Sequence, residues 1–465
     1  MKRFLFSFII LVACSKPETA VESSINSVDV WETSADRSSL LQKSKAQFTT
    51  FEEGLTIAVD TATQYQKMDG FGFSLTGGSA MLLNQKLSVT NRDSLLHELF
   101  SIDEHGIGIS YLRISIGASD LDDHVFSYDD LPEGQTDFEL DKFSLAPDQS
   151  NLIPILKKIK RINSSVKIIS SPWSSPLWMK DNHLPKGGSL KKDCYSVYAK
   201  YLLKYILAMA DEGIVIDAIT IQNEPENPNN TPSMLMTAIE QNEFIRDHLG
   251  PTFKKNNIST KIILFDHNAD HPEYPITILN DSITKPFVDG SAFHLYLGEV
   301  EALSKVHDAH PDKNLYFTEQ WTSGKGDFGG DLKWHVKNLI IGASRNWSKV
   351  VLEWNLAADE NYNPHTKDGG CDLCQGALTI YDNKVTRNVS YYIIGHASKF
   401  VPSGSIRIAS NNIGSLYNVA FLRPDGKKVL IVLNEGDQFQ NFTIQQGKKF
   451  IKAGIKGGSV ASFVW

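Results

Sequence analysis

Between about residues 67 and 400 the sequence alternates short apolar runs with longer amphipathic segments, and no other feature constrains the fold as strongly. The apolar runs lie near Phe71–Leu75, Tyr111–Ile116, Lys167–Ser171, Ala218–Gln222, Lys261–Phe265, Ser291–Leu295, Asn314–Thr318 and Lys349–Glu353. Between them, Leu152–Ile162, Tyr195–Ala210 and Glu240–Leu249 place apolar residues three and four apart, the period of a helix with one buried face. Eight strands each followed by a helical segment predict an α/β fold, a (β/α)8 TIM barrel over residues 67–398. At 465 residues and 41% hydrophobic content, the chain can bury such a barrel and still carry a second domain.

Past Phe400 the pattern changes to short alternating strands joined by Asn, Asp and Gly turns, as in "NVAFLRPDGKKVLIVLNEG" and "SVASFVW". Similar strands, Gln47–Phe51 and Leu55–Ala62, precede the barrel. The expectation is a side β-sandwich built from residues 47–66 and 399–465, with both chain ends meeting in it.

The chain opens Met1-Lys2-Arg3 and continues with an apolar run from Phe4 to Ala13. Ten residues are too few to span a bilayer but suit the apolar part of a signal peptide, here residues 1–13. Leu11-Val12-Ala13-Cys14 resembles the lipobox of bacterial lipoproteins, which implies lipidation of Cys14 and an exported protein held at the outer membrane. Residues 14–46, rich in Ser, Thr, Glu and Lys, read as a flexible tether. Membrane contact is then through the Cys14 lipid alone. In an oxidising compartment, Cys371 and Cys374 of "DGGCDLCQG" read first as a local disulfide. A metal site would need more ligands than the nearby His365 supplies, and Cys194 reads as a buried thiol. With 46 Lys plus Arg against 54 Asp plus Glu, the chain lacks the basic surplus that nucleic-acid binding requires.

In a barrel of this kind, active groups stand at the carboxyl ends of the strands. Those ends offer Arg113, Trp173, Asn223, Glu224, Asp266, His267, His294, Tyr296, Glu319 and Trp354. Glu224 follows the fourth strand and Glu319 ends the seventh, so both point into one mouth. Glycoside hydrolysis is the chemistry that wants such a pair: one protonated acid for the leaving oxygen and one ionised carboxylate. The alternative is that each Glu only caps a helix or pairs with an arginine. Asp266 and His267 are strand-end residues with no further signal.

The motifs "DGFGFSLTGG", "LRISIGASDLDDHVFSYDD", "SPWSSPLWMK", "AITIQNEPE", "AFHLYLG", "YFTEQW", "EWNLA" and "IGHASKFVPSGSIRI" occur in this order. The sequence in this respect resembles glycoside hydrolase family 30, the glucosylceramidase and β-1,6-glucanase family, over essentially the whole chain after the tether. The resemblance implies a retaining mechanism without cofactor or metal. It implies Glu224 as acid/base and Glu319 as nucleophile, their carboxyl groups roughly 5–5.5 Å apart. It places Asn223 on the sugar 2-hydroxyl, Asp120 and Trp173 on the 4- and 6-hydroxyls, and Trp354, His294 and Tyr296 around the glucose pocket. Arg113 is expected to support the nucleophile; a structural ion pair is the alternative. Trp173 and Trp354 have core packing as their alternative.

Relative to the mammalian glucosylceramidase pattern, Gly77-Gly78 reads as loosening the loop after the first strand. Gln320-Trp321 follows the nucleophile where two small residues would stand, so Trp321 is expected to stack a second sugar. The expected activity is retaining hydrolysis of β-D-glucosidic bonds, with β-1,6-glucan or gluco-oligosaccharides as substrate. Glucosylceramide, a β-xyloside or a β-fucoside are alternatives, as is a carbohydrate-binding protein on a dead barrel. The oligomeric state is left open.

Overall fold

The computed structural model describes residues 27–52 and 54–465. The leader and Cys14 lie outside the described residues. The chain first contributes β1 (Ser27–Thr33), β2 (Gln42–Thr49) and β3 (Leu55–Lys67) to the side domain. The tether assigned to residues 14–46 is therefore corrected: from Ser27 onward the segment belongs to the side domain, as β1, a turn and the start of β2. Val28 and Val30 are buried on one face of β1, and its other partner is the last strand of the chain.

Eight parallel strands then close into a barrel: β4 (Gly70–Ser74), β5 (Tyr111–Ser115), β6 (Lys167–Ser171), β7 (Ala218–Thr220), β8 (Lys261–Ala269), β9 (Val288–Gly298), β10 (Asn314–Glu319) and β12 (Ser348–Asn355), with the short β11 (Thr322–Ser323) between the last two. The strands are buried almost throughout, as expected where helices cover the outside of a parallel sheet. Inside the barrel, Tyr111, Ile169, Ala218, Ile263, Ala292, Tyr316, Val350 and Leu352 form one compact apolar cluster. Small Ala218 and Ala292 make room for the two tyrosines, so this end is plugged by packing.

Side chains on one strand face alternate with period two. Two residues beyond the plug, the interior therefore receives Arg113, Ser171, Thr220, His294, Thr318 and Trp354, which carry the site. β8 breaks the rule. Phe265 and Asp266 both have positive φ, 69° and 67°, and the register with β9 shifts between Phe265 and His267. This bulge sends Phe265 outward against Tyr274 and Phe293 and turns Asp266 inward.

The segment Glu240–Leu249 also departs from a single regular helix. A capping box between Thr237 and Glu240 starts the helix at Ala238, and Ile245–Leu249 form a π-helical turn. Gly77 and Gly78 are not a loosened loop. They open the helix Gly77–Gln85, capped by Thr76, and a Cβ on Gly77 would lie 1.8 Å from Asp122 Oδ1. Close packing, rather than freedom, requires glycine there.

On the barrel rim, β11 pairs with β14 (Cys374–Gln375), while β13 (Ala357–Ala358), β15 (Leu378–Tyr381) and β16 (Lys384–Arg387) form a small sheet. The side domain is completed by β17 (Ile406–Ser410), β18 (Leu416–Leu422), β19 (Lys428–Asn434), β20 (Gln440–Gln446), β21 (Lys449–Ile455) and β22 (Val460–Val464). Its nine strands are hydrogen-bonded into a closed ring around Val28, Ile57, Leu430, Ile444 and Phe463. Among the described residues, no helix is long and apolar enough to cross a membrane.

Candidate active site

At the carboxyl ends of the barrel strands lies a cleft of about 530 Å³ lined by Asp120, Glu224, Tyr296, Glu319, Trp321 and Trp354 among others. Arg113, Trp173, Asn223 and His294 stand directly behind this lining. All ten candidate substrate-contacting and supporting residues converge on one end of the barrel.

Arg113 is wholly buried and works as a fork. Nη1 donates to Glu319 Oε2 at 2.5 Å; Nη2 donates to Asn223 Oδ1 at 2.5 Å and to Asp266 Oδ2 at 2.9 Å. Its guanidinium carbon lies 4.7 Å from the Trp173 ring, and Trp173 in turn stacks on Trp354 at 5.4 Å. A planar, permanently charged group stacked on a ring is fixed far better than a lysine would be. The other Glu319 oxygen, Oε1, accepts from the Tyr296 hydroxyl at 2.8 Å. Burial pushes the Glu319 carboxyl above the ordinary glutamate range, while the charges of His294 and Arg113 pull against that push.

Glu224 is held differently. Its φ is 46°, a left-handed conformation that costs an ordinary residue energy and needs support from its surroundings. Its Oε2 accepts from Asn227 Nδ2 at 2.7 Å and Asn230 Nδ2 at 2.9 Å. Its Oε1 lies 3.2 Å from His294 Nδ1. Burial raises this carboxyl too, but the hydrogen bond and charge of His294 outweigh it and bring the pKa down to about 2. His294 itself is destabilised as a cation by burial, yet Glu319, Asp266 and Glu224 hold its pKa up at about 9.

His294 Nδ1 is also 3.7 Å from Glu319 Oε1, so one ring nitrogen touches the neighbourhoods of both glutamates. The two carboxylate oxygens can be no farther apart than 3.2 and 3.7 Å laid end to end. That limit sits at the bottom of the roughly 6.5–9.5 Å of inverting enzymes and admits the roughly 5–5.5 Å of retaining ones.

Asp120 is buried at the cleft wall, and burial, reinforced by Glu319 and Glu224, raises its pKa to about 8. It faces a ligand as a neutral acid at neutral pH, able to donate as well as accept. The Asn223 amide oxygen is taken by Arg113, which leaves the amide nitrogen to offer a hydroxyl. Trp173 has a buried Nε1 without a protein partner, a donor in want of an acceptor.

Sequence reasoning gave Asp266 no role, yet it is the hub of the site. It is fully buried and accepts from Arg113, from Ser171 Oγ at 2.7 Å, Thr220 Oγ1 at 2.8 Å and Thr318 Oγ1 at 2.7 Å; Oδ1 also meets His294 Nε2 at 3.2 Å. Strands β5 to β10 thereby share one carboxylate. Arg113 and His294 overcome burial and keep it ionised.

Cys371 and Cys374 are paired, and the disulfide forms part of the cleft wall, packed with Trp321 against Trp173 and Trp354. Cys194 is buried and unpaired, its thiol raised to about 11 by burial.

A (β/α)8 barrel whose mouth holds two buried glutamates, an arginine fork and stacked tryptophans defines a glycoside hydrolase. The profile of the glycosyl hydrolase family 30 TIM-barrel domain matches residues 68–401, and that of the family 30 beta sandwich domain matches residues 404–463. The chain belongs to glycosyl hydrolase family 30. It is 32% identical over 424 residues to an endo-1,6-β-D-glucanase of Aspergillus fumigatus, covering 85% of this chain and 84% of that protein. The lysosomal acid glucosylceramidase of Mus musculus is 27% identical, over 89% of this chain and 84% of that protein. The solved structure of an endo-β1,6-glucanase superimposes with a TM-score of 0.89 at 34% identity, covering 94% of this chain and 99% of that one.

Proposed function

We propose that the protein hydrolyses β-1,6-glucan or its oligosaccharides with retention of configuration, Glu319 acting as nucleophile and Glu224 as acid/base. The observation that carries this reading is the bracketing of both glutamates by His294 Nδ1, with Glu319 alone tied to a guanidinium.

In the first step a Glu319 oxygen attacks the anomeric carbon while the glycosidic bond breaks. Arg113 and Tyr296 already donate to Glu319, which favours its anionic form. The leaving oxygen takes a proton from Glu224. In the free site that proton resides on His294, 3.2 Å from Glu224 Oε1, and it crosses to the carboxylate as a sugar fills the cleft. In the second step Glu224 removes a proton from water, the hydroxyl attacks the anomeric carbon, and Glu319 departs as carboxylate. The Asn223 amide on the 2-hydroxyl strengthens as positive charge develops on the ring.

For the substrate, the 32–34% identity to endo-1,6-β-glucanases supports a glucan. Glucosylceramide is the second reading, supported by the mouse relative. Asn227, Asn229, Asn230 and Trp321 are among the residues lining the cleft, polar and aromatic groups suited to a sugar leaving group. The test is hydrolysis of β-1,6-gluco-oligosaccharides beside glucosylceramide, with Glu319→Ala as control. Oligosaccharide cleavage lost in the variant supports the proposal. Cleavage of ceramide alone moves the substrate, and activity surviving in the variant removes Glu319 as nucleophile. The leader and Cys14 support a place at the outer membrane, which labelling of the full chain with radioactive palmitate, and its loss in Cys14→Ala, would test.

A further inference from the structure

His267 is the one imidazole at the cleft that the reaction leaves unused. It sits on the bulged end of β8, is 8% exposed, and its Nδ1 is buried without a hydrogen-bond partner. That nitrogen lies 3.9 Å from Glu224 Oε1, which lies 3.2 Å from His294 Nδ1. Among the described residues, Glu224, His267 and His294 form a group whose ligand atoms all stand within 4.8 Å of one another.

Zinc bonds of about 2.0–2.1 Å in a tetrahedron hold ligand atoms roughly 3.3 Å apart. The Glu224–His294 spacing is at that value already, and a small rotation of His267, 3.9 Å from Glu224 Oε1 and restrained by no hydrogen bond at Nδ1, draws the third ligand toward it. The surroundings also suit a cation. Asp266 sits 3.2 Å behind His294 Nε2, the carboxylate–histidine arrangement that orients metal-binding imidazoles. Asn227 and Asn230 hold the other Glu224 oxygen, and the ion displaces the proton that His294 Nδ1 shares with Glu224 in the free site, so binding releases a proton. Glu224 and His267 both line the cleft.

We propose that Glu224, His267 and His294 form a binding site for a divalent transition-metal ion of the zinc and cobalt type, and that the ion, by occupying Glu224 Oε1, reversibly shuts off hydrolysis. Two imidazoles and one carboxylate select such ions over magnesium and calcium, which prefer all-oxygen sites. The ion is no participant in the reaction: it sits on the oxygen that must deliver the proton. The inhibition rests on the reading of Glu224 given above; the binding does not.

The experiment titrates the full chain with cobalt(II) chloride, reads the visible ligand-field bands of low-coordinate cobalt(II), and then displaces the cobalt with zinc. Alongside, His267→Asn and His267→Gln are prepared, and zinc inhibition of aryl β-glucoside hydrolysis is measured with and without EDTA. The expected result is one cobalt per chain in the wild type, displaced by zinc, with metal affinity and inhibition both at least tenfold weaker in the variants. Metal-free variants keep their activity within about twofold. Absence of the bands in the wild type at millimolar cobalt overturns the proposal, whether or not either variant folds. Bands and inhibition unchanged in a folded variant overturn it as well, and locate the ion elsewhere, for instance at the exposed His271–Glu226 pair. A wild type that binds cobalt but hydrolyses no glucoside contradicts the proposed function and leaves the metal site standing.

Discussion

The backbone N–H of Glu224 donates to the carbonyl oxygen of Asp266 at 2.9 Å, and both residues have positive φ, 46° and 67°. Two unfavourable backbone conformations thus support each other, one aiming a carboxylate into the cleft and the other sending one beneath it. Strain of this kind persists only where the surroundings over-determine it. Here the Asp266 side chain does so, through hydrogen bonds to β5, β6, β7, β9 and β10.

Asp266→Asn should therefore damage the site without touching the substrate. An amide cannot accept from Arg113, His294 and three hydroxyls at once, and the Arg113 charge loses one of its two buried partners. Breaking a buried pair of this kind costs roughly 3–5 kcal/mol. The expected outcome is a kcat at least about a hundredfold lower on aryl glucosides, KM little changed, and a lower thermal midpoint. An equal fall in kcat with an unchanged midpoint would mean that Asp266 tunes charge alone.

The pH profile should name the proton store. His294 holds its proton to about 9, and above that pH the unit it forms with Glu224 has none to give a leaving group. Hydrolysis of a glucoside with a poor leaving group should fall with an alkaline limb near 9. With a dinitrophenyl leaving group, which departs unaided, the limb should vanish. In His294→Gln the last proton belongs to a carboxyl, so the limb should move to lower pH. The acid limb, set by Glu319, should lie above the ordinary glutamate value because burial raises that group. An alkaline limb unmoved in the variant would remove His294 from the proton path.

How much of this was legible in the sequence differs from residue to residue. The barrel strands were, because each combines an apolar run with a flanking helix period. Glu224 and Glu319 were, because each stands at or just past the end of such a run. Ser171, Thr220 and Thr318 follow Ile169, Ala218 and Tyr316 at a spacing of two, so their inward aim was implicit there. Asp266 was not: strict alternation from Ile263 turns Phe265 inward, and only the bulge reverses the pair. β1 was hidden for a different reason. Val28 and Val30 alternate properly, but they sit in a polar segment whose partner β22 lies over 400 residues away.

Trp321 is placed by its neighbours on the rim. β11, which begins immediately after it, pairs with β14, and the Cys371–Cys374 disulfide at the start of β14 packs on the same tryptophan cluster. Trp321→Ala should raise KM for β-1,6-gluco-oligosaccharides about tenfold, near 1.4 kcal/mol, while aryl-glucoside kinetics stay within about twofold. The double variant Cys371→Ser, Cys374→Ser should shift the same KM in the same direction and by less, since the tryptophan remains. Unchanged oligosaccharide kinetics in Trp321→Ala would exclude a second sugar at that face.

The junction of the two domains carries its own pH dependence. His396, on the last barrel helix (Val389–Ser398), is fully buried between Ser462 Oγ and Thr33 Oγ1, each at 2.9 Å. The Ser462 hydroxyl proton already goes to the His396 carbonyl oxygen, so its oxygen accepts from Nδ1–H and Nε2 is left to accept from Thr33. The site thus suits a neutral ring, and burial lowers the His396 pKa to about 3. In the unfolded chain the ring takes a proton below about 6.5. The stability contribution is therefore fully present above pH 6.5 and is lost as pH falls toward 3, at up to about 1.4 kcal/mol per pH unit. Urea unfolding at pH 7, 5.5 and 4.5 should show a steeper loss in the wild type than in His396→Gln, which has no proton to take up. The variant should be the less stable of the two at pH 7, with the gap narrowing on acidification. Parallel pH dependences in the two proteins would mean that His396 takes up its proton in the fold as readily as in the unfolded chain, with Thr33 accepting rather than donating once it does.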